Sequence, residues 1–183
     1  MSRRCVALLI TIAAMGFAAP TAAGKRVVAD VAGMPISNAS FDHWLRVAAH
    51  AGRRPNGRLI PHRFSPRWKQ LRDVVMQFLI SAKWIHGEAQ RRGIVVTDAA
   101  VRREFNRDRR ANWPTRRSYL RFLRQAGEST PDLLYRLRLD MLSNRLRKIG
   151  LSPFDLSDRW RPLTACRPAY RIADCGSTFP ASG

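Results

Sequence analysis

SPRWKQLRDVVMQFLISAKWIHGEAQRRGIVVTD, residues 65–98, carries the longest helical pattern in the chain. Ser65 is a fitting N-cap, Pro66 suits a first helical position and Gly93 suits an end, so a helix is predicted over 66–92. Trp68, Leu71, Val74, Val75, Phe78, Leu79, Ala82 and Ile85 fall on one face, and Met76, Ile80 and Trp84 on a second. A helix that is apolar on two sides packs against several neighbours. This segment is therefore expected at the centre of a helical domain.

Working outward, Phe41, Trp44, Leu45, Ala48 and Ala49 make one stripe of a helix over 38–51, capped by Ser37 and ended by Gly52. Val27, Val28 and Val31 ahead of it read as a short strand turned by Gly33. Residues 52–64, GRRPNGRLIPHRF, hold two prolines, two glycines and four arginines and read as a basic linker. Downstream, Thr97 caps a third helix with Val101 and Phe105 inward. After Pro114 a fourth helix is predicted over 115–125, with Tyr119, Phe122 and Leu123 inward. Thr130-Pro131-Asp132 opens a fifth, whose apolar side is Leu133, Leu134, Leu137, Met141, Leu142, Leu146 and Ile149. The tail, 151–183, scatters aromatics among prolines and cysteines and is predicted to be irregular. The expected fold class is mainly α: about five helices, a short N-terminal strand and turn, and an irregular, disulfide-containing C-terminal tail.

Ser2-Arg3-Arg4 is a positive start, Cys5 to Ala19 an uncharged apolar run, and Thr21-Ala22-Ala23 a small-residue cleavage site before Gly24. A run of about 15 residues falls short of the roughly 20 needed to cross a bilayer. The expected organisation is a cleaved signal peptide over 1–23, a helical domain over 24–150 and the tail over 151–183. The protein is expected outside the cytoplasm, in the cell envelope or secreted. Cleavage removes Cys5 and leaves Cys166 and Cys175, an even number, which in an exported chain reads as a disulfide. A zinc pair would need four ligands, and none of the four histidines lies near these cysteines in sequence.

The net charge is +20 and almost all of it is arginine, the only lysines being Lys25, Lys69, Lys83 and Lys148. Such charge attracts nucleic acid, anionic lipid or cell-wall polymers. The arginines are, however, spread along every predicted helix instead of forming a basic arm, and an Arg-rich, Lys-poor chain is what a GC-rich genome tends to write.

Three stretches, in order, resemble the chaperone domain of the SurA/PrsA-type foldases. VADVAGMPISNASFDHWL (28–45) resembles its opening strand, turn and first helix; RRGIVVTDAAVRREF (91–105) the link from its long second helix to the third; DLLYRLRLDMLSNRL (132–146) its last helix. The resemblance covers about 27–149. The tail DRWRPLTACRPAYRIADC also resembles the C-terminal segment of some such foldases. Those proteins usually insert a parvulin-type prolyl isomerase domain between the last helix and the tail, whereas here the one runs almost directly into the other. His43, His50, His62 and His86 all precede that junction, so no catalytic residue is carried over and no enzyme activity is implied.

No nucleophile elbow, HExxH or phosphate loop is present. His43 reads as a solvent-facing or satisfied residue, and His86 and Glu88 are too close in sequence to share a helix face as a metal pair. Asp30, Asp42 and Asp73, isolated among arginines, read as salt-bridge partners. No cofactor and no metal is expected. The resemblance implies a holding chaperone that binds unfolded or nascent exported polypeptides in an apolar groove between the first, second and fifth helices. Trp44, Trp68, Phe78, Trp84 and Met141 are the candidate lining, large and adaptable side chains suited to varied apolar segments. The alternative is a secreted basic protein that binds anionic cell-envelope polymers, lipid headgroups or nucleic acid; no sequence-specific nucleic-acid recognition is expected.

Overall fold

β1 (Val27–Val31) and β2 (Met34–Ser37) form an antiparallel hairpin at the start of the described chain. The structure, a computed structural model, describes residues 27–51 and 60–179. The predicted signal peptide and most of the 52–64 linker lie outside the described residues. The hairpin turn is Ala32-Gly33, both with positive φ, 50° and 82°, whose twist matches that of the flanking strands. Asp30 shapes this turn by accepting from the Gly33 N–H at 2.7 Å, in place of the expected salt bridge; Asp73 does pair with Arg72, at 2.6 Å.

Five helices follow: α1 (Asn38–Ala51), α2 (Pro66–Arg91), α3 (Asp98–Asn112), α4 (Arg116–Ala126) and α5 (Thr130–Lys148). Their starts are set by side-chain caps. Ser37 accepts from the Ser40 N–H, Ser65 from that of Trp68 and Thr97 from that of Ala100. α5 is capped by Ser129, one residue before the expected Thr130, in a reciprocal box with Asp132.

α2 is central and buried on both expected faces. Trp68, Val75, Met76, Leu79, Ile80 and Trp84 join Val28, Ile36, Phe41 and Leu45 of β1, β2 and α1 in one core. A second cluster, Ala89, Val96, Val101 and Leu142 with Leu134, Leu137 and Met141 packed on it, holds α3 against α5.

The tail is more regular than its composition implied. It forms α6 (Pro153–Trp160), a 3-10 turn, β3 (Thr164–Cys166), a second 3-10 turn and β4 (Ser177–Thr178). α6 starts with a Ser152–Asp155 capping box and Pro153 in its first turn, the device that opens α5. β3 pairs antiparallel with β1 and parallel with β4, in a sheet ordered β2-β1-β3-β4. Cys166 and Cys175 form the expected disulfide beside it.

α6 is tied to α2 by a buried polar node. Glu88, fully buried, accepts from Arg91 and Arg92 at 2.6 Å each and from the Trp160 indole N–H at 3.1 Å. Arg159 approaches its other oxygen at 3.5 Å. The Arg91 hydrogen bonds, aided by those of Arg92 and Trp160 against the upward push of burial, bring the Glu88 carboxyl from 4.5 down to about 2. Nearby, the Trp84 indole donates to Thr164 Oγ1 at 2.9 Å, and that hydroxyl donates to the Trp160 carbonyl at 2.8 Å.

Gly87 leaves the space that this docking needs. A Cβ there would stand 2.3 Å from Cη2 of Trp160. Helix propensity alone predicts that Gly87→Ala stabilises α2 by about 1 kcal/mol. The clash with a buried ring predicts instead a net loss of about 2 kcal/mol. Urea unfolding decides the sign, and a more stable variant would show that Trp160 is not held tightly.

Candidate functional site

A groove lies where α1, α2 and α5 fail to close on one another. Trp44, Val47 and Ala48 of α1, Val74, Val75 and Phe78 of α2, and Arg136, Leu139 and Asp140 of α5 line it, with Ala126 and Glu128 at the α4–α5 link. Its volume is about 470 Å³. The walls are mostly apolar and open to solvent, and Val74 is 59% exposed.

The rings form a continuous cluster. Trp44 meets Phe78 edge-on with centroids 4.6 Å apart and lies 5.8 Å from Tyr135; His86 stacks on Tyr135 at 6.2 Å. Trp44 is also one wall of a second hollow of about 500 Å³, bounded by Ile36, Ser40, Leu79, Lys83, Asp132 and Tyr135 among others. A single tryptophan thus separates two adjoining hollows along the α1–α5 seam.

The seam is fixed at one end by hydrogen bonds. Asp132 Oδ2 accepts from the Ser129 backbone and hydroxyl at 2.8 and 2.7 Å, and Oδ1 lies 2.7 Å from His43 Nε2. Burial pushes the Asp132 carboxyl up, but the Ser129 and His43 hydrogen bonds outweigh it and hold the group below its ordinary value. This joins α1 to the start of α5 beside the aromatic cluster. Burial, with Lys83 and Arg138 nearby, lowers the His86 pKa and so favours the uncharged ring. Glu128 pairs with Arg136, while Asp140, exposed on the same lining, forms no ion pair among the described residues.

The expected lining residues part company here. Trp44 and Phe78 come together in the groove. Trp68 and Trp84 are only 4% and 5% exposed and belong to the core; Trp84 is further committed to Thr164. Met141 packs with the α3–α5 cluster and does not line the groove. Tyr135, Leu139, Val47 and Val74 line the two hollows without having been singled out. A signal was present for two of them, since Tyr135, Leu139, Leu142 and Leu146 stand at i, i+4, i+7 and i+11 on α5. The stripe of Leu134, Leu137 and Met141 masked it, and that face packs on α3.

Among the described residues, no group of three or more His, Cys, Asp or Glu side chains is placed to hold a metal ion, and no helix is long and apolar enough to cross a membrane. A family model described as SurA-like N-terminal domain matches residues 4–147 of the 183. No curated protein and no solved structure matches significantly.

Proposed function

Because the chain belongs to the family of SurA-like N-terminal domains, we propose that it is a holding chaperone, acting outside the cytoplasm, which binds apolar segments of unfolded exported polypeptides in the groove between α1, α2 and α5. The observation that carries this reading is the open cleft of about 470 Å³ whose two adjacent rings, Trp44 and Phe78, are only partly buried. Partly exposed aromatic surface beside an unfilled hollow gives a client side chain somewhere to go. Burial of about 400 Å² of apolar surface offers on the order of 10 kcal/mol before association costs, which leaves weak, reversible binding. Arg136 and Asp140 at the rim supply a donor and an acceptor for an extended backbone. The reading involves no catalysis, no cofactor and no nucleotide.

Aggregation of a denatured exported protein should be suppressed at stoichiometric ratio, and no suppression at several-fold excess would reject the proposal. Trp44→Ala, which widens the groove and removes its largest contact surface, is expected to weaken client binding about 10-fold or more, since the loss of a central aromatic anchor costs about 2 kcal/mol. Binding should persist when salt is raised from about 50 to 200 mM, as contacts to phosphate-type polyanions would not. Full client affinity in Trp44→Ala would place the site elsewhere on the surface.

A further inference from the structure

Among the described residues, the end of α3 and the whole of α4 carry positive charge that no acid balances. Residues 109–124 contain six arginines and no acid. The three acids of α3 are already engaged, Asp98 by Arg138, and Glu104 and Asp108 by Arg107. Among the described residues no carboxylate forms an ion pair with Arg110, Arg116, Arg117, Arg121 or Arg124, and all five are exposed. Arg117, Arg121 and Arg124 recur at i, i+4 and i+7 and so share one face of α4. That face points away from the protein, because the inward residues are Tyr119, Phe122, Leu123 and Ala126, and Ala126 lines the groove.

We propose that the outer face of α4 is a docking surface for a membrane leaflet that carries anionic phospholipid headgroups. The guanidinium groups, without ion-pair partners among the described residues, match phosphate in charge and in hydrogen-bonding shape. The apolar part decides between phosphate sources. Leu120 is 38% exposed in the middle of the arginines, where it and the arginine stems reach the headgroup–acyl boundary of a lipid surface. A water-soluble polyanion offers such a residue nothing to bury against. Single-stranded nucleic acid would want free ring faces for stacking, but Trp113 is already stacked on Phe122 at 4.1 Å and Arg109 lies over Tyr119. With α4 on the leaflet, its groove-lining face is turned toward the protein interior side and stays clear of lipid.

The test titrates the protein, as secreted by an expression host, with vesicles of equimolar phosphatidylglycerol and phosphatidylcholine. Pure phosphatidylcholine vesicles report any binding through residues 5–19, and long-chain polyphosphate reports a polymer site. Each arginine facing an anionic leaflet strengthens binding about 5-fold. The triple variant Arg117→Gln/Arg121→Gln/Arg124→Gln should therefore bind the anionic vesicles about 100-fold more weakly. Arg102→Gln/Arg103→Gln/Arg147→Gln removes the same charge elsewhere and should lose at most a few-fold. Leu120→Ser should weaken vesicle binding and leave polyphosphate binding unchanged. Equal losses in the two triple variants, binding to polyphosphate but not to anionic vesicles, no vesicle binding at all, or a Leu120→Ser variant indistinguishable from the parent would each overturn the proposal.

Discussion

Replacing Glu88 by alanine is expected to destabilise the protein by about 3 kcal/mol, the range found when one partner of a buried ion pair is removed. The side chain is fully buried and gathers Arg91 at the end of α2, Arg92 just beyond it and the indole N–H of α6. Its loss strands the Trp160 N–H in an apolar setting and frees Arg91 and Arg92 to turn to solvent. Urea unfolding at neutral pH, followed by tryptophan fluorescence, reads the effect. Glu88→Gln keeps an acceptor for Trp160 but no charge and should fall between the two. A loss under about 1 kcal/mol in the alanine variant would show that packing alone docks α6.

The same node gives a pH dependence of known sign. The folded carboxyl has a pKa of about 2 against an ordinary 4.5, so its contribution is fully present above about 4.5. It is lost as pH falls through that window toward 2. Solvent screens the partners, because Arg91 is 46% and Arg92 32% exposed, so the part lost on acidification is on the order of 2 kcal/mol. Acid unfolding of Glu88→Ala should lack this component.

The second large effect is expected from Cys166→Ser/Cys175→Ser. The bridge spans nine residues in sequence, and closing a loop of that size restricts the unfolded chain by about 3 kcal/mol. Both half-cystines are buried against the main core, so serine hydroxyls there add desolvation to the lost cross-link. Reduced parent protein should resemble the double variant in its urea midpoint. Because neither cysteine lines the groove, the variant should still bind clients under conditions where it remains folded. Unaltered stability would mean that strand pairing and the Trp84–Thr164 hydrogen bond hold β3 without the cross-link.

What the sequence made legible was local. Ser65-Pro66, Thr97 and the glycine at 93 carry their meaning within one helical turn, and those helices begin and end where the caps place them. α6 was equally legible in principle, since Ser152-Pro153-Phe154-Asp155 places Ser, Pro and Asp much as the start of α5 does, but the prolines and cysteines around it spoke for irregularity. Contacts between distant segments left no such trace. Glu88 sits three and four residues before arginines, as a surface ion pair would, and its burial comes from Trp160, 72 positions away. The helical period of α2 likewise marks Trp68, Phe78 and Trp84 as apolar without telling which of them another element will cover. The open groove is a mismatch between three helices, and no one of them encodes it alone.

The sheet closes the molecule head to tail: Ala29 of β1 faces Cys166 of β3, and only the hairpin partner β2 is near in sequence. Synthesis delivers a chain from its N-terminus, so β1 must wait for residues 164–166 before its second edge is occupied. Until then that bare edge is open to any passing strand. Vectorial delivery therefore leaves an interval in which the protein is itself a sticky, unfinished sheet, and the arrival of residues 164–166 ends it.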